Sequence, residues 1–498
     1  MTIQTELTTD RADPQRRRAV AAALRSVLPD DALVSAPDAL ATFECDGLTA
    51  YREIPLLVVL PADVGQVRAA MRCCRELGVP VIPRGAGPGL SGGALPRRDG
   101  VLLSLTRMNR ILEIDPENRI ARVEPGVRNL AISEAVAPYG LFFAPDPSSQ
   151  FASSIGGNVA ENSGGVHCVK YGLTTHNLHT VAYVDMTGEL ITLGGSGYDA
   201  AGYDLMAPFT GSEGMLGVAV EIGVKLLPLP ETVVLMQAAF PDMERAGRAV
   251  MQIVGSGITP SGLEMMDRIA IEVVENYIRA GLPTDAAALL LCELDGAEAD
   301  VAAQIEQVTR VMQGCGGYDF RLARSAPERE RLWQGRKAAF PALGQVTTDF
   351  FIMDATVPRR HLASTLARIT ELAGEYRLRV ANTFHAGDGN LHPLILYDAS
   401  IPDEVRRTEA LANAILTLCL ERGGTVTGEH GIGAEKLDIA CAQFAEPTLE
   451  QFFALKRAFD PDGLLNPGKA IPTPRRCAEL GGLHVHRGEM PYPGLERF

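Results

Sequence analysis

No run of apolar residues in this chain of 498 approaches the ~20 that a helix needs to cross a bilayer, which excludes a helical membrane span. Basic residues are outnumbered, 46 Lys and Arg against 61 Asp and Glu, and a net charge of −15 leaves no footprint for a nucleic-acid backbone. Small anionic substrates held by local cations remain open. The 9 cysteines are scattered, include the adjacent Cys73-Cys74 and never form Cys-x-x-Cys. That argues against a thiolate zinc site or an iron–sulfur cluster in this chain and for a reducing, cytoplasmic setting. The first residues hold Asp10, Asp13 and three arginines without an apolar stretch, unlike a secretory signal. Aromatics are few, but 46% hydrophobic residues supply core for about three domains.

Histidine is also scarce, 9 in all, yet three stand close together in two short motifs. His385-Ala-Gly-Asp-Gly-Asn-Leu-His392 reads as strand, turn and strand, since residues seven apart around Gly387-Asp388-Gly389 cannot share a helix face. Gly428-Glu429-His430-Gly431 follows some forty residues later. Neutral imidazoles and a carboxylate are ligands that a borderline divalent metal accepts, so His385, His392 and Glu429 are candidates. The alternative is a plain glycine-rich turn, in which Asn390 is an ordinary turn residue.

In chain order, Asp13 and Pro14 open a helix over 14–28. A strand at 56–60, an amphipathic helix at 62–77 and a strand at 79–82 make a βαβ unit. Gly87 to Gly92 then matches G-x-G-x-x-G, but Pro96 and a strand at 101–105 follow where a dinucleotide fingerprint demands a helix, so that reading fails. The loop still exposes backbone N–H groups suited to a diphosphate. A second segment, Pro145-Asp146-Pro147-Ser148-Ser149 with Ser154-Ile155-Gly156-Gly157-Asn158, is dense in small residues and hydroxyls, and Gly211-Ser212-Glu213-Gly214 adds a third. These cradles flank strands at 101–105 and 120–124 and suit one long phosphate-bearing ligand. Beyond Leu227-Pro228-Leu229-Pro230, strands at 233–239 and 289–294 alternate with helices at 244–253, 267–280 and 298–313, which suits an antiparallel sheet covered by helices. Arg336, in Trp333-Gln334-Gly335-Arg336-Lys337, is a candidate carboxylate anchor, a solvated surface cation being the alternative.

Together the three cradles, the histidine motifs and Asp460-Pro461-Asp462-Gly463-Leu464-Leu465-Asn466-Pro467-Gly468-Lys469 resemble the vanillyl-alcohol oxidase/p-cresol methylhydroxylase (PCMH-type) flavoprotein family over nearly the whole chain. The resemblance implies an α+β protein: an N-terminal helical arm at 1–50, a two-subdomain PCMH-type FAD-binding domain at 51–228, a ferredoxin-like α+β cap (the FAD-linked oxidase C-terminal domain) at 229–470, and a tail at 471–498. It implies FAD held by Arg84, Gly85, Gly87, Gly89, Ser91, Gly92, Pro145, Asp146, Ser148, Ser149, Ser154, Gly156, Gly157, Asn158 and Glu213. Covalent flavin in such proteins uses a His or Cys in these segments; only His167 and Cys168 come near, so noncovalent FAD is expected.

The implied reaction is FAD-dependent oxidation of a small 2-hydroxy acid by hydride transfer to the flavin. A divalent metal, zinc or manganese, on His385, His392 and Glu429 would lower the cost of removing the hydroxyl proton. His430 is the expected general base, with a fourth metal ligand as its alternative role, and Arg336 the substrate anchor. Relatives that act on hydroxyglutarate carry a lysine in the segment matching 350–354 and an asparagine where this chain has Leu394; with neither present, glycolate is expected first and D-lactate second. The resemblance further implies an iron–sulfur subunit and a second flavin-type subunit carrying electrons toward quinone, with the chain cytoplasmic or peripheral at the membrane's inner face. A metal-dependent hydrolase and a noncatalytic flavin-binding assembly subunit are the competing readings.

Overall fold

The computed structural model describes residues 13–195, 197 and 202–472. The tail motifs around Cys477, His484 and His486 lie outside the described residues. Two compact units divide the chain: residues 1–163, 173–228 and 430–498 form the first, and 164–172 with 229–429 the second. One of these divisions falls after Pro228. Two shorter segments, 164–172 and 430 onward, group across it. No described helix is long and apolar enough to cross a membrane.

In the first unit, Asp63 caps the helix Val64–Glu76 by accepting from Gln66 N at 2.9 Å. Val67, Ala70, Met71 and Cys74 recur at helical spacing on its buried face and meet Leu57, Val59, Val101 and Leu103 of the adjoining sheet. Burial of each larger side chain contributes roughly 1.5–3 kcal/mol. The expected βαβ unit is present, but strand Val101–Ser104 is inserted between its two parallel strands, Leu57–Val59 and Val81–Arg84. No helix lies between Arg84 and Val101, which is why a dinucleotide turn cannot form there. A second, antiparallel sheet runs in the order Ile111–Asp115, Ile120–Val123, Val218–Lys225, Leu178–Val184, Leu190–Gly194. The chain's late segment returns to this unit. Leu465 bridges Val81, and the Asn466 amide donates to the carbonyls of Gly93 and Glu213.

The second unit is built on antiparallel strands Thr232–Phe240, Gly262–Asp267, Ala288–Gly296 and Tyr318–Ala323, with helices Met243–Gly255 and Glu298–Gly314 after the first and third. Numbered by sequence, their order across the sheet is fourth, first, third, second. This is the ferredoxin-like arrangement expected for the cap. Gly262–Asp267 and Tyr318–Ala323 were not anticipated from the sequence. Strand Arg379–His385 extends the sheet by pairing with Gly262–Asp267, and its register sets His385 opposite Glu264.

Candidate active site

Within the first unit the glycine-rich segments converge on one cavity. Its wall includes Arg84, Gly85, Gly87, Gly89, Ser149, Ser154, Gly156, Gly157, Asn158 and Glu213 of the sequence-derived set, whereas Ser91, Gly92, Pro145, Asp146 and Ser148 are not in the wall. The first two cradles touch. A Cβ on Gly85 would stand 2.0 Å from Ser154 Oγ, and that hydroxyl accepts from Ala86 N at 3.2 Å. Gly156 is equally constrained, since its Cβ would fall 2.7 Å from Pro125. Arg84 is partly spent on structure: its Nη1 donates to the carbonyl of Cys45 at 2.6 Å, and burial lowers its pKa.

Four buried polar atoms of this wall have no partner among the described residues: Ser153 Oγ, Asn158 Nδ2, Glu161 Oε2 and Glu213 Oε2. Leaving such atoms unpaired costs about 1–3 kcal/mol each, so the cavity is built for a polar ligand. FAD, a long molecule with hydroxyls, a diphosphate and a heteroaromatic ring, suits cradles of backbone N–H groups beside unpaired side-chain donors and acceptors.

In the second unit the hairpin forms as the sequence implied. Arg379–His385 turns through Gly389, at φ +84°, and His385 pairs with Asn390, so that the His385 and His392 rings lie 5.1 Å apart and nearly perpendicular. Both imidazoles turn Nε2 toward Glu429 Oε1, at 3.4 Å from His385 and 3.1 Å from His392. These donors all lie within 4.8 Å of one another, close enough to share an ion.

The opposite ring nitrogens are fixed from behind. His392 Nδ1 meets the Met353 carbonyl at 3.2 Å, where it can only donate, and His385 Nδ1 meets Glu264 Oε1 at 2.6 Å. The second Glu264 oxygen accepts from Arg336 Nε at 3.0 Å. One carboxylate therefore orients both a candidate ligand imidazole and the expected substrate anchor. Arg336 is buried rather than solvated, 5% exposed, and its two terminal nitrogens make no hydrogen bond among the described residues. Glu429 is held through its backbone: the Asp354 carboxylate accepts from the amides of Gly428 and Glu429 and from Thr427 Oγ1. Asn390 packs so closely against Gly428 that a Cβ there would lie 2.3 Å from Oδ1.

Charge in this cluster is balanced by contact. Burial alone would lower the His385 pKa, but Glu264 and Glu429 raise it well above the usual imidazole range. Burial opposes ionisation of Glu429, yet His385 and His392 hold it well below the usual carboxylate range. Glu264 is likewise depressed against burial by His385 and Arg336. A divalent ion would take over the positive role that protonated imidazole fills here.

His430 follows Glu429 directly and opens the segment grouped with the first unit. His167 Nε2 is bonded to Glu293 Oε1 at 2.8 Å within the second unit. Leu394 sits in an apolar cluster with Ala339, Leu343 and Ala381. Glu264 and Asp354 were missed in the sequence. The signal for Glu264 was a lone carboxylate in Gly-Leu-Glu-Met-Met, an expensive residue for an apolar strand unless it has a task.

Two family models match. One described as the FAD binding domain covers residues 55–194, and one described as FAD linked oxidases, C-terminal domain, covers 229–470. The glycolate oxidase subunit GlcD of Escherichia coli (strain K12) is 56% identical over 97% of this chain and 97% of its own length. A D-lactate dehydrogenase of Anaerostipes hadrus is 32% identical over 83% of this chain and 89% of its own. Among solved structures, substrate-bound p-cresol methylhydroxylase superposes with a TM-score of 0.78 at 19% identity, covering 94% of this chain and 98% of that one.

Proposed function

The chain belongs to the FAD-linked oxidases of PCMH type, and from that premise we propose that it oxidises a small 2-hydroxy acid, glycolate first and D-lactate second. The observation that carries the reading is the buried chain from Arg336 through Glu264 and His385 to Glu429, which joins a carboxylate anchor to a metal-ligand set. FAD, held noncovalently by the cradles, supplies a two-electron acceptor for the Cα hydrogen. Noncovalent attachment is favoured because His167, the histidine nearest the cradles in sequence, has its Nε2 bonded to Glu293.

Other side chains carry the substrate chemistry. Arg336 presents two terminal N–H groups as a fork for the substrate carboxylate. His385, His392 and Glu429 hold a divalent metal, zinc or manganese, whose Lewis acidity would act on the hydroxyl. His430 accepts the hydroxyl proton as general base. Leu394 and its apolar neighbours offer nothing to a second substrate carboxylate, which favours a monocarboxylate over hydroxyglutarate.

The GlcD relative is named as a subunit, and this chain, without cluster-ligating cysteine motifs, needs an external acceptor. We place an iron–sulfur subunit and a second flavin-type subunit in that role, with the complex cytoplasmic or at the membrane's inner face. The test is an anaerobic titration of the purified, FAD-loaded chain. Glycolate is expected to bleach the flavin absorbance, and D-lactate to do so less effectively. Absence of a flavin spectrum, or no bleaching by either acid, refutes the proposal. Acid precipitation should leave the flavin in solution, and coloured precipitate would contradict noncovalent binding.

A further inference from the structure

Beyond lining the cavity, two carboxylates of the first unit have no step in the reaction proposed above. Glu161, at the end of helix Ile155–Glu161, and Glu213, in the Gly-Ser-Glu-Gly turn at φ 51°, face each other across two glycines. A Cβ on Gly431 would stand 2.5 Å from Glu161 Oε2 and 2.8 Å from Glu213 Oε1, and one on Gly93 would stand 2.5 Å from Glu161 Oε1. Glu213 is only 5% exposed, and each residue, while lining the cavity, keeps one oxygen without a partner among the described residues. Glycine on both sides is what lets the carboxyls approach.

Like charges this close and this dry do not both ionise. Burial, and then Glu213, push the Glu161 pKa well above the carboxylate range. Burial raises Glu213 too, against hydrogen bonds from Gly433 N and Ile432 N. The other charges acting on the pair are Asp46, Lys436 and Lys469. Lys469, itself lowered to about 8 by burial, donates to the carbonyls of Leu95 and Gly93. A diphosphate would be repelled by the pair, whereas the hydroxyls and ring N–H of FAD are donors it can accept.

The geometry points to Glu161 and Glu213 as a single acid pair that takes up one proton from solvent when the bound flavin is reduced. This inference rests on FAD occupying the cavity. A hydride is two electrons and one proton, so its arrival on FAD bound there would add one negative charge to the cavity. A second proton, taken by the pair, cancels that charge inside the cavity. Two protons then accompany two electrons, instead of one.

The midpoint potential of the bound flavin against pH, read from its absorbance with a reference dye, counts these protons without any turnover. The wild-type holoprotein is expected to show two protons per two electrons near neutral pH, and Glu161→Gln and Glu213→Gln to show one. A wild-type slope of one proton overturns the inference, and this measurement decides even if the variants fail to fold. So does a slope unchanged in both variants, or one lost in Lys469→Met but kept in the glutamine variants. A chain that takes up no FAD at all instead overturns the FAD reading and this inference with it.

Discussion

Glu264 shows how much a single buried carboxylate can organise. Its two oxygens serve His385 and Arg336. Glu264→Gln keeps the shape but presents a donor to one of them, so the imidazole loses its fixed tautomer. Removing such a partner behind a ligand typically weakens metal binding by about 10–100-fold. We expect the dissociation constant for the metal to rise by that amount, metal content after dialysis to fall, and the substrate KM to rise through the loosened Arg336. Unchanged metal content and KM would show that Glu264 is only a core ion pair. His430 is tested differently: His430→Asn should retain full metal and FAD while turnover falls by about 100-fold or more, the usual worth of a general base. Loss of metal in that variant would make His430 a ligand. The histidines themselves were legible in the sequence because they are rare and spaced for a turn. Glu264 and Asp354 were not, because their partners lie 121 and 75 residues away.

At the scale of elements, local signals and pairing signals separated cleanly. Periodicity, with Asp13 read as a cap, located helices such as Val64–Glu76, Met243–Gly255 and Glu298–Gly314. Asp63 and Asp242 also accept from the first turn of the helix they precede but were not read as caps, and helices Leu362–Glu375, Pro402–Glu421 and Glu446–Phe459 were not anticipated. The hairpin turn around Gly389 was equally local. Strand order was not, since Gly262–Asp267 must find both Ala288–Gly296 and Arg379–His385, and nothing in its short apolar pattern names either. The insertion of Val101–Ser104 into the βαβ unit is the same kind of fact. What glycine-rich composition did foretell was close approach of backbone segments, and this gives a direct test. In Gly85→Ala the new methyl would meet Ser154 Oγ, displacing one cradle from the other. FAD affinity, followed by fluorescence quenching, should drop by about 10-fold or more, given 1–3 kcal/mol for an overpacked contact. Adding Ser154→Ala should recover part of it by removing the atom in the way. No loss in the single variant, or no recovery in the double, would mean the contact does not shape the cavity.

For the whole molecule, the proposed labour is divided: residues of the first unit line a cavity suited to FAD, and the second unit holds the candidate anchor and metal ligands. That division was legible from composition and motif, although the grouping of 164–172 and of residues from 430 onward was not, because both depend on where a passing segment finds partners. Lys170 and Tyr171, for example, bond Asp295 in the second unit. Substrate choice is the property that belongs to this scale, since it follows from what the assembled site lacks. Arg336 can pair one carboxylate. By the resemblance, Leu394 and the segment 350–354 are where a second polar contact would be supplied; here Leu394, Phe350 and Ile352 pack with Ala339, Leu343 and Ala381. Burying a second carboxylate unpaired costs about 3 kcal/mol or more, which corresponds to roughly 100-fold in kcat/KM. Glycolate should therefore exceed D-2-hydroxyglutarate by at least that factor, with the artificial electron acceptor held constant. D-lactate, which adds a methyl and no charge, should fall within about 10–100-fold of glycolate, the range that one methylene's worth of pocket fit commands. A hydroxyglutarate constant equal to or above that of glycolate would require a second cation at this site and would overturn the monocarboxylate assignment while leaving 2-hydroxy acid oxidation intact.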